Sequence, residues 1–351
     1  MRIHQDFTGG NITVLEITGG TVKLENQLRE TEGDWFYWAF CVEGAQGETL
    51  TFGFGKKNWV GYFGPAVSRD LTSWAWQRPE NTGNRTGSEF TYTFGPEESR
   101  VYFAHSMLYH PGRFAAFARA RNLPLRRLAL SQAGRAVEIA QFGGGKRTIL
   151  LTARHHACES TGSYVLEGAL AQLLEHPPAG CTVAAVPFVD LDGVVSGDQG
   201  KNRRPHDHNR DYLPDPVYPA TAAIMDYVNG RDIAFALDFH SPWHAGNGDD
   251  KAFTVRCGHD NAPYDAFGAA LERETAACPQ ALRYHMGGDI GNNARWNQDC
   301  TPSCSRYILR RPGVKLSASF ETPYFGTSQN QANEQSMLHL GRCIARCISC
   351  L

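Results

Sequence analysis

No stretch of this chain is hydrophobic over the length a bilayer crossing needs, and the opening MRIHQDFTGG lacks the apolar core of a signal peptide. The expectation is a cytoplasmic protein that does not meet a membrane. An excess of one charge is also missing. Lys and Arg number 34 against 36 Asp and Glu, for a net charge of -2, which leaves no electrostatic basis for binding nucleic acid or an anionic surface. There is no dense disulfide framework either. The ten cysteines are scattered over 351 residues and, without a signal, read as reduced thiols. Cys300 with Cys304, and Cys343 with Cys347 and Cys350, raise the idea of a cysteine-ligated zinc site. The last three recur at helical spacing on an apolar face, so core packing is the simpler account. What remains is an ordinary globular composition, 42% hydrophobic and 20% charged, at a length that suits two domains.

The first domain, residues 1–122, reads as all-β. Short runs such as ITVLEI, TVKLEN, ETLTFGF and RVYFAHS are broken by Gly, Asn and Pro at the spacing of a β-sandwich. Trp35, Tyr37, Phe40, Phe52, Phe54 and Tyr62 supply an aromatic core, and the domain is expected to pack and shape rather than to do chemistry. A short basic helix over residues 109–121 ends it. The second domain, residues 123–351, opens with a hairpin turning at Ala133-Gly134 and then alternates strand and helix, which is α/β.

Thr148 to Leu174 organises this second domain. Ile149, Leu150 and Leu151 form a buried strand ending at Ala153, and the apolar spacing from Val165 to Leu174 is that of a helix over 161–175, with Ser160 or Thr161 as its cap. Between them lies His156-Ala157-Cys158-Glu159. A His and a carboxylate three apart at the carboxyl end of a strand can converge on one cation. Alone, so short a pattern is better explained by a polar turn that happens to hold His and Glu. The loop 190–216, with Lys201, Arg203, Arg204 and Arg210 within ten residues, is too long for a simple connection; it reads either as a solvated basic loop or as a site for an anion. In DIAFALDFH, period-2 alternation places Ala236, Asp238 and His240 on one face, with His240 ending the strand. Two His and one carboxylate with an open fourth position form a catalytic zinc set. In GVKLSASFE, Glu321 ends a strand on its polar face, where it could take a proton from water; on this stretch alone a strand-end carboxylate in solvent is an equally open reading. An amphipathic helix over about 331–348 closes the chain.

Together these pieces resemble the zinc carboxypeptidases, in particular the cytosolic type that removes C-terminal acidic residues. ARHHACE fits that family's ARxHxxE motif, DGVVSGDQGKNRRPHDHNR fits its DGV…DLNR segment, His240 its strand-final His, and SASFE its catalytic strand. The resemblance implies a mixed-sheet α/β catalytic domain behind a β-sandwich, and one zinc ion on His156, Glu159 and His240. It further implies Glu321 as general base, Asn209 and Arg210 holding the substrate's terminal carboxylate, and Arg306 in the side-chain pocket, favouring Glu or Asp. The family's transition-state Arg falls on Gly200. Lys201, Arg203 or Arg204 would have to substitute, with Arg203 the first choice. The partner is then the C-terminus of a peptide or protein.

Three other readings share parts of this pattern. A zinc amidohydrolase of small N-acyl amino acids has the H-x-x-E and a distant His, but the N-terminal sandwich argues against it. A cell-wall peptide carboxypeptidase is disfavoured by the missing export signal. A non-catalytic peptide-binding relative is supported by the displaced Arg and opposed by the intact ligand set.

Overall fold

The computed structural model describes residues 1–82, 86–243 and 251–349. The N-terminal third forms two sheets. One has five strands in the order Arg2–His4, Ala39–Glu43, Arg100–Ala104, Ala66–Ser68, Ala75–Trp76; the other has four, Thr13–Thr18, Thr21–Glu25, Thr49–Phe54 and Glu89–Thr93. Alternating aromatic residues fill the space between them. Phe40 meets Phe52 at 5.2 Å and Phe103 at 5.3 Å between ring centres, and Trp38 is buried beside Phe54. Ring edges and faces at these spacings add directional attraction to the area they bury. The helix Pro111–Ala120 follows, started by Pro111 and capped by His110, whose ring accepts from the Arg113 amide.

The rest is built on a seven-stranded sheet in the order Leu125–Leu130, Ala136–Gly143, Cys181–Val186, Arg147–Ala153, Asp232–His240, Leu316–Glu321, Phe253–Arg256. Four of these strands run parallel, and the edge strands are antiparallel. This is the mixed-sheet α/β architecture expected. The inner strands carry near-continuous apolar residues because helices cover both faces. Parallel register aligns Ala153 with Phe239 and His240 with Glu321, so three carboxyl ends open on one edge of the sheet. That register is what collects the chemistry-bearing residues in one place.

Some local expectations need correction. The helix Thr161–Glu175 forms where the spacing put it, but no side chain caps it. The Ser160 hydroxyl is taken by the Met107 carbonyl at 2.7 Å, and that of Thr161 by Ser241 and the Thr322 carbonyl. Tertiary partners outbid the cap. The long loop after Cys181–Val186 is not structureless. It holds a short helix, Leu191–Ser196, capped by Asp190, and a single turn at His208–Arg210. The closing helix is Glu334–Ser349; Cys343 and Cys347 are buried in the core, and Cys350 lies outside the described residues.

Helices Thr161–Glu175 and Glu334–Ser349 touch backbone to backbone. A Cβ on Gly168 would overlap the Leu338 carbonyl, and one on Gly341 the Val165 carbonyl. Gly341→Val therefore forces the pair apart and is expected to cost about 3 kcal/mol of stability. A urea midpoint unchanged from wild type would contradict this packing.

Candidate active site

Arg154 begins the site. Its φ of 63° turns the chain sharply at the end of the strand, a conformation a non-glycine residue holds only when its surroundings fix it. Here the guanidinium does the fixing, donating to the carbonyls of Ala157 at 3.0 Å and Tyr109 at 2.8 Å. The turn swings His156 and Glu159 over the sheet edge, where His240 arrives on the neighbouring strand.

The three side chains meet. His156 Nδ1 lies 3.0 Å from Glu159 Oε1, His240 Nδ1 lies 2.8 Å from Glu159 Oε2, and the two Nδ1 atoms are 3.2 Å apart. Ligands on a tetrahedral zinc at about 2.0–2.1 Å stand about 3.3 Å from one another, so these spacings are those of one coordination shell. The outer contacts support that. His240 Nε2 faces Asp238 Oδ2 at 2.6 Å, and His156 Nε2 faces Asp207 Oδ1 at 3.5 Å. With each Nε2 carrying the proton, both Nδ1 lone pairs point at a shared spot, an arrangement that fits a cation. The electrostatics agree. Burial opposes charge on Glu159, yet His156, Lys201 and His240 hold its carboxyl well below the usual range. Burial likewise opposes charge on His240, but Asp238 and Glu159 hold its pKa well above the usual value. The negative charge that draws a proton there is what a divalent cation would neutralise.

Asp238 does double duty. Its other oxygen meets His155 Nδ1 at 2.8 Å and the Thr152 hydroxyl at 2.8 Å, while His155 Nε2 meets the Tyr212 hydroxyl at 2.7 Å. The sequence reading did not single out Asp207, Asp238 or His155. The signals were present: Asp238 shares its face with His240 under period 2, and Asp207 stands two residues before Asn209. The Asp207 carboxylate accepts from the amides of Asn209 and Arg210, which fixes the turn that carries them.

Glu321 is 6% exposed and next in register to His240. Burial pushes its carboxyl up to about 7, and its Oε2 has no hydrogen-bond partner among the described residues. It is not a strand-end carboxylate in solvent. A cavity of 570 Å³ opens over this group, and Asn209, Arg210, Arg306 and Lys201 line it too. Asn209 Oδ1 accepts from the Cys304 amide at 3.0 Å, and its Nδ2 lies 3.4 Å from His240 Nε2. Arg306, 4% exposed, reaches the cavity but is already engaged. It contacts Asp299 and Asn292, each at 2.8 Å, and Asn297 at 2.7 Å.

Arg203 is the residue that the structure does not bring to the cluster. Its guanidinium is committed to Asp190 at 3.0 Å and Asp198 at 2.7 Å, away from the cavity. Arg204 is exposed and pairs with Glu32. The cation at the cluster is Lys201, ion-paired with Glu159. His208, unusual in its motif, stacks on Tyr218 at 3.7 Å, and burial pushes its pKa down to about 4. It packs as a neutral ring where the family motif has leucine.

No protein-family model matches the chain. It is 26% identical over 261 residues to an uncharacterized protein of Zymomonas mobilis, covering 68% of this chain and 67% of that one. It is 24% identical over 180 residues to cytosolic carboxypeptidase 2 of Xenopus tropicalis, covering 43% of this chain but only 19% of that much longer protein. Among solved structures, a metallo-carboxypeptidase from Burkholderia cenocepacia superposes with a TM-score of 0.78 at 19% identity, over 99% of this chain and 98% of that one. A metallo-carboxypeptidase from Pseudomonas aeruginosa, in complex with (2-guanidinoethylmercapto)succinic acid, does so with a TM-score of 0.77 at 19% identity, over 100% and 99%. The chain has the metallo-carboxypeptidase fold. The likeness runs over nearly the whole chain, through the sheet-rich N-terminal part as well as the seven-stranded α/β part. Among the described residues no helix is long and apolar enough to cross a membrane.

Proposed function

We propose that this protein is a zinc-dependent carboxypeptidase that removes a C-terminal residue, preferentially Glu or Asp, from peptides or proteins in the cytoplasm. One observation carries the reading: two imidazoles and a carboxylate share a coordination-sized spot in the cavity lining, together with a Glu321 carboxylate oxygen that has no hydrogen-bond partner among the described residues. His156, Glu159 and His240 would hold the ion, with Asp207 and Asp238 orienting the imidazoles. Zinc, when bound, lowers the pKa of water and polarises a carbonyl. The chain's own residues do the rest. Arg210 and Asn209 take the terminal carboxylate, which sets the scissile carbonyl over the cluster. Glu321 accepts the proton from the attacking water and returns it to the leaving amine. Lys201, rather than Arg203, faces the oxygen on which negative charge develops. The cavity also suits a peptide end better than a small N-acyl amino acid, because its 570 Å³ is lined by the exposed Trp243 and Trp296 as well as by Arg306.

The acidic preference rests on Arg306. Asp299, its partner, is 48% exposed at the side chain, so an incoming carboxylate could take its place on the guanidinium. Peptides ending in Glu or Asp are expected to show kcat/KM at least about tenfold above matched peptides ending in Leu, and Arg306→Ala to abolish that gap. Equal rates on Glu-ended and Leu-ended peptides would mean that Asp299 keeps the guanidinium and the pocket is effectively neutral.

A further inference from the structure

Gly200 stands where the related motif has its arginine, and the backbone explains why no side chain is there. Its φ is 75°, and a Cβ would collide with the Ala157 amide in the turn that carries the metal-ligand candidates. The positive charge comes instead from the next residue. Lys201 Nζ pairs with Glu159 and lies 3.4 Å from the Ser241 carbonyl, with its third side covered by the ring of Trp35, 4.8 Å from the ring centre. Trp35 belongs to the N-terminal domain.

The same domain grips the loop on either side of Lys201. Asn11 donates to the Gly197 carbonyl at 2.6 Å, and Arg29 pairs with Asp198 at 2.6 Å. Gln199 exchanges hydrogen bonds with the Tyr37 amide and carbonyl at 2.9 and 2.8 Å. The Glu32 amide donates to the Asn202 carbonyl at 3.2 Å, and Thr31 bridges to Arg203. Trp35 is itself held, by Asn26 donating to its carbonyl and by its indole donating to the Glu32 carbonyl. A lysine has a flexible four-carbon stem and, unlike arginine, no planar fork to fix its head. Its charge stays over the reacting atoms only if something stops it from swinging out.

We infer that Trp35 is a positioning residue for the reaction: through its ring face, the N-terminal domain holds the Lys201 ammonium where the oxyanion forms. This rests on the carboxypeptidase reading and on Lys201 in that role. The effect belongs to the transition state, so it should appear in kcat and in the affinity for a tetrahedral mimic, and not in ground-state binding.

The experiment compares wild type, Lys201→Met, Trp35→Leu and Trp35→Phe, all zinc-loaded and full length. Readouts are kcat and KM on a Glu-ended peptide, and calorimetric Kd values for a phosphonate peptide and for the product peptide. Lys201→Met should lose roughly 100-fold or more in kcat. Trp35→Leu should lose roughly tenfold in kcat and in phosphonate affinity, with KM and product affinity near wild type. Trp35→Phe keeps a ring face and should recover most of that loss. Should Trp35→Leu fail to fold, Arg29→Met loosens the same loop at Asp198 and should give the same split. Unchanged kcat in Trp35→Leu, a loss confined to KM, or an equal loss in Trp35→Phe overturns the inference. Full activity in Lys201→Met overturns the role of Lys201 and, with it, the positioning. If wild type hydrolyses no peptide and binds no phosphonate, the carboxypeptidase reading itself fails, and the inference goes with it.

Discussion

Glu321→Gln is expected to keep its fold and its metal and to lose roughly 10²–10⁴-fold in turnover, as happens when a general base is removed. Gln is nearly the same shape, so the packing around the end of the strand Leu316–Glu321 survives, but an amide cannot take the proton from water. The setting makes Glu321 a suitable base. Burial is the main reason its carboxyl rises to about 7, and the neighbouring Glu159 adds to the rise, against His240 and Lys201. A nearby divalent cation would pull that value down and favour the ionised form. KM should change little, because Asn209 and Arg210 are untouched. Near-normal turnover in a variant with full metal content would remove Glu321 from the reaction.

The second large effect concerns the metal. Wild type is expected to hold one zinc per chain after dialysis, and His156→Ala or His240→Ala to lose most of it. Each would take away one of the three groups proposed to ligate the ion. Asp238→Asn lies one contact further out and should weaken binding by roughly 10- to 100-fold, the usual cost of losing a residue that orients a ligating imidazole. Elemental analysis across the series gives the ranking directly. Stoichiometric zinc in either alanine variant would sink the ligand assignment, and zinc unaffected by Asp238→Asn would reduce that carboxylate to a packing group.

Much of this was legible in the sequence because it depends on short-range periodicity. The organising strand and helix, the hairpin at Gly134, and the strand ends at Ala153, His240 and Glu321 all follow from apolar spacing of two or 3.6. Whatever is written in local pattern could be read. The failures share a cause. Ser160 was expected to cap a helix, but its hydroxyl serves the Met107 carbonyl from another part of the chain. Arg203 was expected at the oxyanion, but two buried or half-buried aspartates, Asp190 and Asp198, claim it. The four cations of the loop look alike in a string of letters, and only the three-dimensional neighbours sort them. The N-terminal domain reads as a packing and substrate-shaping module, and which of its many aromatic residues reaches the cavity, Trp35 under Lys201, shows only in three dimensions.

Gly200 bears on how such a chain should be recognised. A pattern that demands arginine at its position would score this protein as having lost a working part. On the proposed role of Lys201 the charge sits one residue further along, and the Ala157 backbone leaves no room for a side chain at Gly200, so placing an arginine there by a single substitution should break the site rather than repair it.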